Sequence, residues 1–276
     1  MKILRRLLIL VLVLLAALFC VLARAWFNQD RLAFAPASYP DSQQLPDTGA
    51  FLAFDNPRLV AWERRIPPTD SSQKITLLFL HGRGFPLDPV AFWLRRFNQA
   101  GLNLVVAEYP GFPRTSAQGA DRLSLDDTLT DMTEICRHLR ASRPEEAIVI
   151  VGFSMGGHLG MRLPEDCQDA LITFATYLDS SDLMPFGLGR FVKHRFSAEQ
   201  ALAQRKKPMV VFHAPMDSIV PYSEKQRIID ALPFGTLVSH YDLDGVDHNF
   251  ISHRLTHEVM KALIVLGYDV EPYERP

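Results

Sequence analysis

Nearly continuous apolar runs alternate along most of the chain with segments whose apolar residues recur at helical spacing. From residue 75 onwards the runs are ITLLFLHG (75–82), LNLVVAEY (102–109), AIVIVGF (147–153), ALITFAT (170–176), PMVVFHA (208–214) and TLVSHYDL (236–243). Helices are predicted near residues 90–100 and over residues 123–141, 155–163, 198–204, 222–232 and 251–266. Strands of this kind are typical of a sheet that is covered on both faces. The alternation predicts an α/β domain with a mainly parallel sheet.

Two earlier segments extend this sheet. FLAF (51–54) and LVAWERRI (59–66) have the composition of strands, and the turn residues Asp55-Asn56-Pro57 stand between them. We expect them to pair antiparallel, which makes the predicted sheet eight-stranded.

The first residues of the chain form its most apolar segment. Residues 7–23 are an unbroken apolar run of 17 residues, the lower limit for crossing a bilayer. Lys2, Arg5 and Arg6 precede this run, whereas only Arg24 follows it directly. The excess of positive charge before the run predicts a cytoplasmic N-terminus and a folded domain on the other side of the membrane.

Two alternatives to a membrane anchor stay open. Ala23-Arg24-Ala25 has the small-x-small form of a signal-peptide cleavage site, after which the domain would be secreted. Against cleavage, the apolar run is longer than the usual signal-peptide core of about 7–15 residues. Lipid attachment at Cys20 is less favoured, because Leu18 and Phe19 before it are bulky. We therefore divide the chain into an anchor (1–25), a linker rich in Pro, Asp, Ser and Gln (26–48) and a catalytic domain (49–276).

Composition narrows the range of functions. The net charge of the 276-residue chain is −2 and its Lys and Arg residues are dispersed, so we expect no nucleic-acid partner. Three cysteines provide no disulfide framework, and we expect Cys136 and Cys167 to be ordinary, partly buried thiols. No metal-ligand spacing occurs, and we expect neither a metal nor another cofactor.

The strongest chemical motif is GFSMGG (152–157), which places Ser154 in a G-x-S-x-G pattern. The motif directly follows a predicted apolar strand and opens a predicted helix, as a nucleophile elbow requires. The helix N-terminus also favours negative charge that develops beside the serine. We identify Ser154 as the candidate nucleophile.

Serine needs a base, and an acid to orient that base. With this elbow the order along the chain is serine, acid, histidine. His248 follows the last predicted strand, and Asp217 follows the strand before it, so these residues are the candidate base and acid. Asp179 is an alternative position for the acid, whereas Asp247 is too close to His248 in sequence to orient it easily.

A developing oxyanion needs N–H donors. The backbone N–H of Met155 is one candidate, and that of Arg83 in HGRG (81–84) is the second. The Arg83 side chain either extends into solvent or reaches a substrate carboxylate or phosphate. We expect His81, His158 and His213 to have structural roles.

Together these motifs resemble the α/β-hydrolase superfamily over about residues 50–270, and most of all its small, membrane-anchored members without a large lid. The resemblance rests on HGRG, EYPGFPRTS (108–116), GFSMGG, APMDSIVPYSEKQ (214–226) and DHNF (247–250). It implies an α/β-hydrolase fold, the triad Ser154, Asp217 and His248, and oxyanion donors at Arg83 and Met155. The chain departs from the usual pattern at Arg83, Pro110 and Pro113, near the expected substrate pocket.

The function predicted is hydrolysis of esters or thioesters of a small or lipid-like acyl substrate through an acyl-enzyme intermediate. LMPFGLGRFV (183–192) forms either a small apolar flap for such substrates or an ordinary surface loop. The alternative functions are a serine peptidase and a non-catalytic binding protein with the same fold.

Overall fold

The computed structural model of this chain describes residues 2–27, 45–46, 48–66, 74–116, 124–183, 189, 196–248 and 253–270. These residues include a domain built around one mixed sheet. Its eight strands are β1 (Ala50–Phe51), β2 (Val60–Arg64), β3 (Ile75–Leu80), β4 (Asn103–Glu108), β5 (Ala147–Phe153), β6 (Ala170–Phe174), β7 (Met209–His213) and β8 (Leu237–Asp242). They lie in the order β1-β2-β4-β3-β5-β6-β7-β8.

The sheet is parallel from β4 to β8 and antiparallel at its other edge. β1 pairs with β2, and β2 with β4, in antiparallel register, as the two early strand segments predict. The neighbouring pairs from β4 through β3, β5, β6 and β7 to β8 are parallel. The carboxyl ends of β3 to β8 therefore meet at one edge of the sheet, where open α/β sheets bind their ligands.

Helices cover both faces of the sheet. One face carries Leu87–Trp93, Arg96–Gln99 and His253–Val265, and the other carries Leu125–Ser142, Met155–Arg162, Glu199–Ala203 and Ser223–Ala231. Shorter turns of helix occur at Pro113–Ser116, Glu165–Cys167 and Ser180–Leu183. Because successive side chains of a strand point to opposite faces, β5 contributes Val149 and Val151 to one core cluster and Ile148 and Ile150 to the other.

The single helix predicted near residues 90–100 is wrong in one respect. The chain forms two short helices there, with a break between Trp93 and Arg96. After this break Phe97 is fully buried, and its carbonyl accepts the N–H of Leu102 at the start of the next strand segment.

A long apolar helix, Lys2–Phe27, precedes the domain. Its segment Arg5–Phe27 has a mean hydropathy of 3.0 over the most apolar window and is long enough to cross a membrane. A signal sequence has the same properties, so the helix fits both an anchor and a cleaved leader. Most of the predicted linker and of the predicted flap lies outside the described residues.

Cys136 and Cys167 form a disulfide with their Cα atoms 5.6 Å apart, so the expectation of two ordinary thiols is wrong. Cys136 lies in the helix Leu125–Ser142, and Cys167 ends the turn Glu165–Cys167. The turn places Cys167, which is 31 positions further along the chain than Cys136, against this helix. Both residues are fully buried.

Candidate active site

Ser154 lies at the sharp turn between β5 and the helix Met155–Arg162, which we call the elbow helix. Its backbone has φ 54° and ψ −117°, a conformation that residues with a Cβ atom rarely adopt. Neighbouring groups fix it there: its N–H donates to the Phe174 carbonyl at 2.9 Å, and its own carbonyl accepts the Thr176 hydroxyl at 2.7 Å. The strain at Ser154 is thus held by residues from β6 and the loop after it.

Two glycines allow the chain to pass through this turn. A Cβ on Gly152 would lie 2.5 Å from the Gly157 Cα, and one on Gly156 would lie 1.9 Å from the Leu80 carbonyl oxygen. Both distances are far below van der Waals contact. The glycines of GFSMGG therefore let β5, the elbow helix and the end of β3 approach one another closely.

His248 joins Ser154 to Asp217. Its Nε2 lies 3.0 Å from the Ser154 Oγ, and its Nδ1 lies 2.8 Å from the Asp217 Oδ2. The imidazole is largely buried and its ring packs on Phe153, with ring centroids 5.2 Å apart. Since a carboxylate only accepts, the hydrogen between His248 and Asp217 sits on Nδ1, which leaves Nε2 free to accept the Ser154 proton.

The Asp217 carboxylate is fully buried and held by the backbone of its own loop. Its Oδ1 accepts the N–H groups of Ile219 at 2.9 Å and Val220 at 2.7 Å. His213 packs behind it, with Nε2 donating to the Val220 carbonyl at 3.1 Å. Burial lowers the pKa of His213, so it stays neutral and keeps this structural bond.

Asp179, the alternative acid, is engaged elsewhere. Its Oδ1 accepts the backbone N–H of Ser181 at 2.8 Å, and its backbone bridges to Ser197. The carboxylate hydrogen-bonded to His248 is that of Asp217. The structure thus brings together the three residues that the sequence selects.

The loop after β3 passes beside the serine. A Cβ on Gly82 would lie 3.4 Å from the Ser154 Cβ, and the Arg83 side chain is exposed. His81 is fully buried against Tyr109, whose hydroxyl donates to the His81 carbonyl at 2.6 Å. Burial lowers the pKa of His81 to about 4, which fits the expected structural role. The assignment of the Arg83 and Met155 N–H groups as oxyanion donors stays a prediction.

Glu108, at the end of β4, has a buried carboxylate whose contacts the sequence alone does not predict. Its buried carboxylate accepts the N–H of Leu87 at 2.9 Å and that of Arg114 at 2.8 Å, and so joins the segments that follow β3 and β4. The Arg114 guanidinium in turn binds Asp88 through two hydrogen bonds. Burial raises the pKa of Glu108. In the sequence, the feature that could have indicated this role is a charged residue at the end of an apolar strand, directly before YPGFPRTS.

Comparisons with known proteins identify the family and the fold of this chain. A model of the alpha/beta hydrolase family matches residues 77–257, more than half of the chain. Thermogutta terrifontis esterase 2, phosphoramylated by tabun, is similar with a TM-score of 0.64 and 19% identity, over 85% of this chain and 100% of that one. The same esterase with propionate bound gives a TM-score of 0.61 at 18% identity, over 83% and 97% of the two chains.

A third similar structure is a serine hydrolase without a lid from Xanthomonas campestris. Its TM-score is 0.56 and its identity 18%, over 80% of this chain and 96% of that one. A search of the curated proteins finds no significant match. At these identities the similarity to solved structures is evidence for the fold only, and it confirms the α/β-hydrolase fold predicted from the sequence.

Proposed function

This chain belongs to the alpha/beta hydrolase family, and we propose that it is a serine hydrolase that cleaves carboxylic esters through an acyl-enzyme intermediate. Membership of this family identifies the chain as a hydrolase. What we propose beyond that is the catalytic role of Ser154, His248 and Asp217, the acyl-enzyme intermediate and the type of bond that is cleaved. The observation that carries it is the pair of hydrogen bonds of His248, at 3.0 Å to Ser154 and 2.8 Å to Asp217.

The first half of the reaction acylates the serine. His248 Nε2 takes the proton of Ser154 Oγ while this oxygen attacks the ester carbonyl, and the Asp217 carboxylate stabilises the imidazolium that forms. The N–H groups of Met155 and Arg83 then stabilise the negative oxygen of the tetrahedral intermediate. Collapse of the intermediate expels the alcohol, which takes the proton from His248.

The second half restores the enzyme. Water attacks the acyl-serine carbonyl and gives a proton to His248 Nε2. Breakdown of the second tetrahedral intermediate releases the carboxylic acid, and the proton returns to Ser154 Oγ. The same residues would cleave a thioester, because both substrates pass through the same acyl-serine.

The substrate we propose is an ester of a small acyl group. The similar Thermogutta esterase holds propionate, and the similar Xanthomonas enzyme has no lid. Hydrolysis rates on p-nitrophenyl esters of increasing chain length, beside acyl-thioester and aminopeptidase substrates, will decide between ester, thioester and peptide.

We also propose that the catalytic domain lies on the non-cytoplasmic side of a membrane, anchored by the helix Lys2–Phe27. The basic residues before this helix support that orientation. The Cys136–Cys167 disulfide supports it independently, since disulfides are rare in reducing compartments. In bacterial cells, alkaline phosphatase fused to the C-terminus should be active and membrane-bound. An inactive fusion would contradict the orientation, and a soluble active one would indicate cleavage.

Labelling by a fluorophosphonate probe tests the proposed function. Ser154 Oγ should displace fluoride from phosphorus, so that intact-mass spectrometry finds one adduct per chain. The adduct should disappear in Ser154→Ala and persist in Ser142→Ala, in which the exposed serine lies at the end of the helix Leu125–Ser142. A folded wild-type protein that the probe leaves unlabelled would contradict the proposal.

A further inference from the structure

Neighbours of the proposed acid and base are hydrogen-bonded to each other. Ser218 directly follows Asp217, and Asp247 directly precedes His248. The Ser218 N–H donates to the Asp247 Oδ1 at 2.8 Å, and the Ser218 hydroxyl lies 2.8 Å and 2.9 Å from the two oxygens of that carboxylate. The His248 backbone N–H donates to the same Oδ1 at 2.7 Å. One carboxylate thus contacts both segments beside the catalytic pair.

The two segments need such a connection. Asp217 and His248 are 31 positions apart and lie on the loops after β7 and β8, which we call the acid loop (214–221) and the base loop (243–248). The side chains of Met216 and Ile219 beside Asp217 are exposed, so packing against the core restrains these two positions little. The catalytic side chains themselves span the gap through the bond from His248 Nδ1 to Asp217 Oδ2.

Asp247 does not replace Asp217 as the acid. The His248 ring is bonded to Asp217, whereas Asp247 is bonded to the His248 backbone. The backbone N–H groups of Ser218, first, and of His248 lower the pKa of Asp247, so its carboxylate is charged at neutral pH. Hydrogen bonds to a charged acceptor are stronger than neutral ones.

We infer that Ser218 and Asp247 are positioning residues that clamp the acid loop to the base loop and thereby set the geometry of the Asp217–His248 hydrogen bond. This inference rests on the proposed function, because the clamp acts on the reaction only through His248. Its effect belongs in the chemical step and not in substrate binding. A displacement of about 1 Å in a catalytic group costs on the order of 100-fold in rate.

The single variants Asp247→Ala, Asp247→Asn and Ser218→Ala test the clamp. The control is Asp244→Ala, which removes another exposed carboxylate from the base loop. We expect Asp247→Ala to lower kcat on a p-nitrophenyl ester about 10- to 100-fold with KM within about twofold. Asp247→Asn should recover most of this loss, because its Oδ1 still accepts both N–H groups and its Nδ2 can donate to the Ser218 hydroxyl. Ser218→Ala should cost less, about three- to tenfold, since its N–H remains.

The double variant Ser218→Ala with Asp247→Ala should be no slower than Asp247→Ala alone, because residues of one network are not additive. Equal kcat in Asp247→Ala and Asp244→Ala would overturn the clamp, and so would a change confined to KM or a loss that Asp247→Asn shares fully. Fluorophosphonate labelling separates the two levels. An unlabelled wild type overturns the proposed function itself, whereas a wild type and an Asp247→Ala that react equally fast overturn the clamp alone.

Discussion

Substitution of Gly156 by alanine tests how the elbow is built. The added Cβ would lie 1.9 Å from the Leu80 carbonyl oxygen and 2.8 Å from the His81 carbonyl oxygen, both backbone atoms at the end of β3. Reaching even 3.0 Å from Leu80 requires the elbow helix and β3 to separate by about 1 Å. Overpacking that only backbone movement can relieve costs about 3 kcal/mol of the free energy of unfolding.

The same movement displaces Ser154 relative to His248. A misplacement of about 1 Å lowers the rate about 100-fold, so the fluorophosphonate rate constant should fall by that factor. Urea unfolding measures the first effect and stopped-flow or gel-based labelling the second.

Gly160→Ala on the same helix is the matched control. Its Cβ would lie 2.9 Å from the Leu171 Cδ1 and 3.1 Å from the Ile150 Cγ2, which are side-chain methyl groups that can move. Alanine also favours a helix by up to about 1 kcal/mol over glycine. We therefore expect stability within about 1 kcal/mol of wild type and an unchanged labelling rate. If Gly156→Ala behaves like Gly160→Ala, the close approach of the elbow helix to β3 is refuted.

The disulfide, two buried histidines and the proposed acid each give a further prediction. Replacing Cys136 and Cys167 by serine should lower the free energy of unfolding by about 3.7 kcal/mol, from the entropy of closing a loop of 31 residues; unchanged urea unfolding would contradict the disulfide. His81 and His158 each have a pKa of about 4 in the folded protein against 6.5 in the unfolded chain. Between these values the unfolded state binds up to two more protons than the folded protein, so the free energy of unfolding should fall as the pH is lowered from 6.5 towards 4. Urea titrations should find a slope of up to about 2.7 kcal/mol per pH unit, and His158→Gln should reduce that slope. Asp217→Asn should lower kcat about 10⁴-fold with little change in unfolding, because the amide no longer holds the His248 tautomer; a loss below tenfold would remove Asp217 as the acid.

The sheet and the candidate triad could be predicted because both depend on local sequence. β5 is apolar on both faces, as its Val149 and Ile150 show by packing into opposite core clusters. Ser154 stands between this strand and a helix, and His248 and Asp217 each follow a strand end. Parallel strands bring such ends to one edge, so the order along the chain reduced the acid to Asp217 or Asp179, and the folded structure shows that Asp217 contacts His248.

Contacts that join distant segments could not be predicted in this way. Cys167 reaches Cys136 through a turn too short to show any periodicity. Glu108 acquires its role only when the N–H groups of Leu87 and Arg114 converge on it. The sequence identifies Asp247 only as a poorly placed candidate acid, because its bond to Ser218 depends on two loops that meet after folding.

Ester hydrolysis by wild type and Ser154→Ala tests the central claim most directly. We expect the wild-type enzyme to hydrolyse p-nitrophenyl propionate, and Ser154→Ala to have kcat at least about 10⁴-fold lower at unchanged thermal stability. After acid quench, peptide mapping should find the propionyl group on the peptide that contains Ser154. Activity of more than a few per cent in Ser154→Ala, or an acyl group on another residue, would contradict an acyl-enzyme mechanism at this serine.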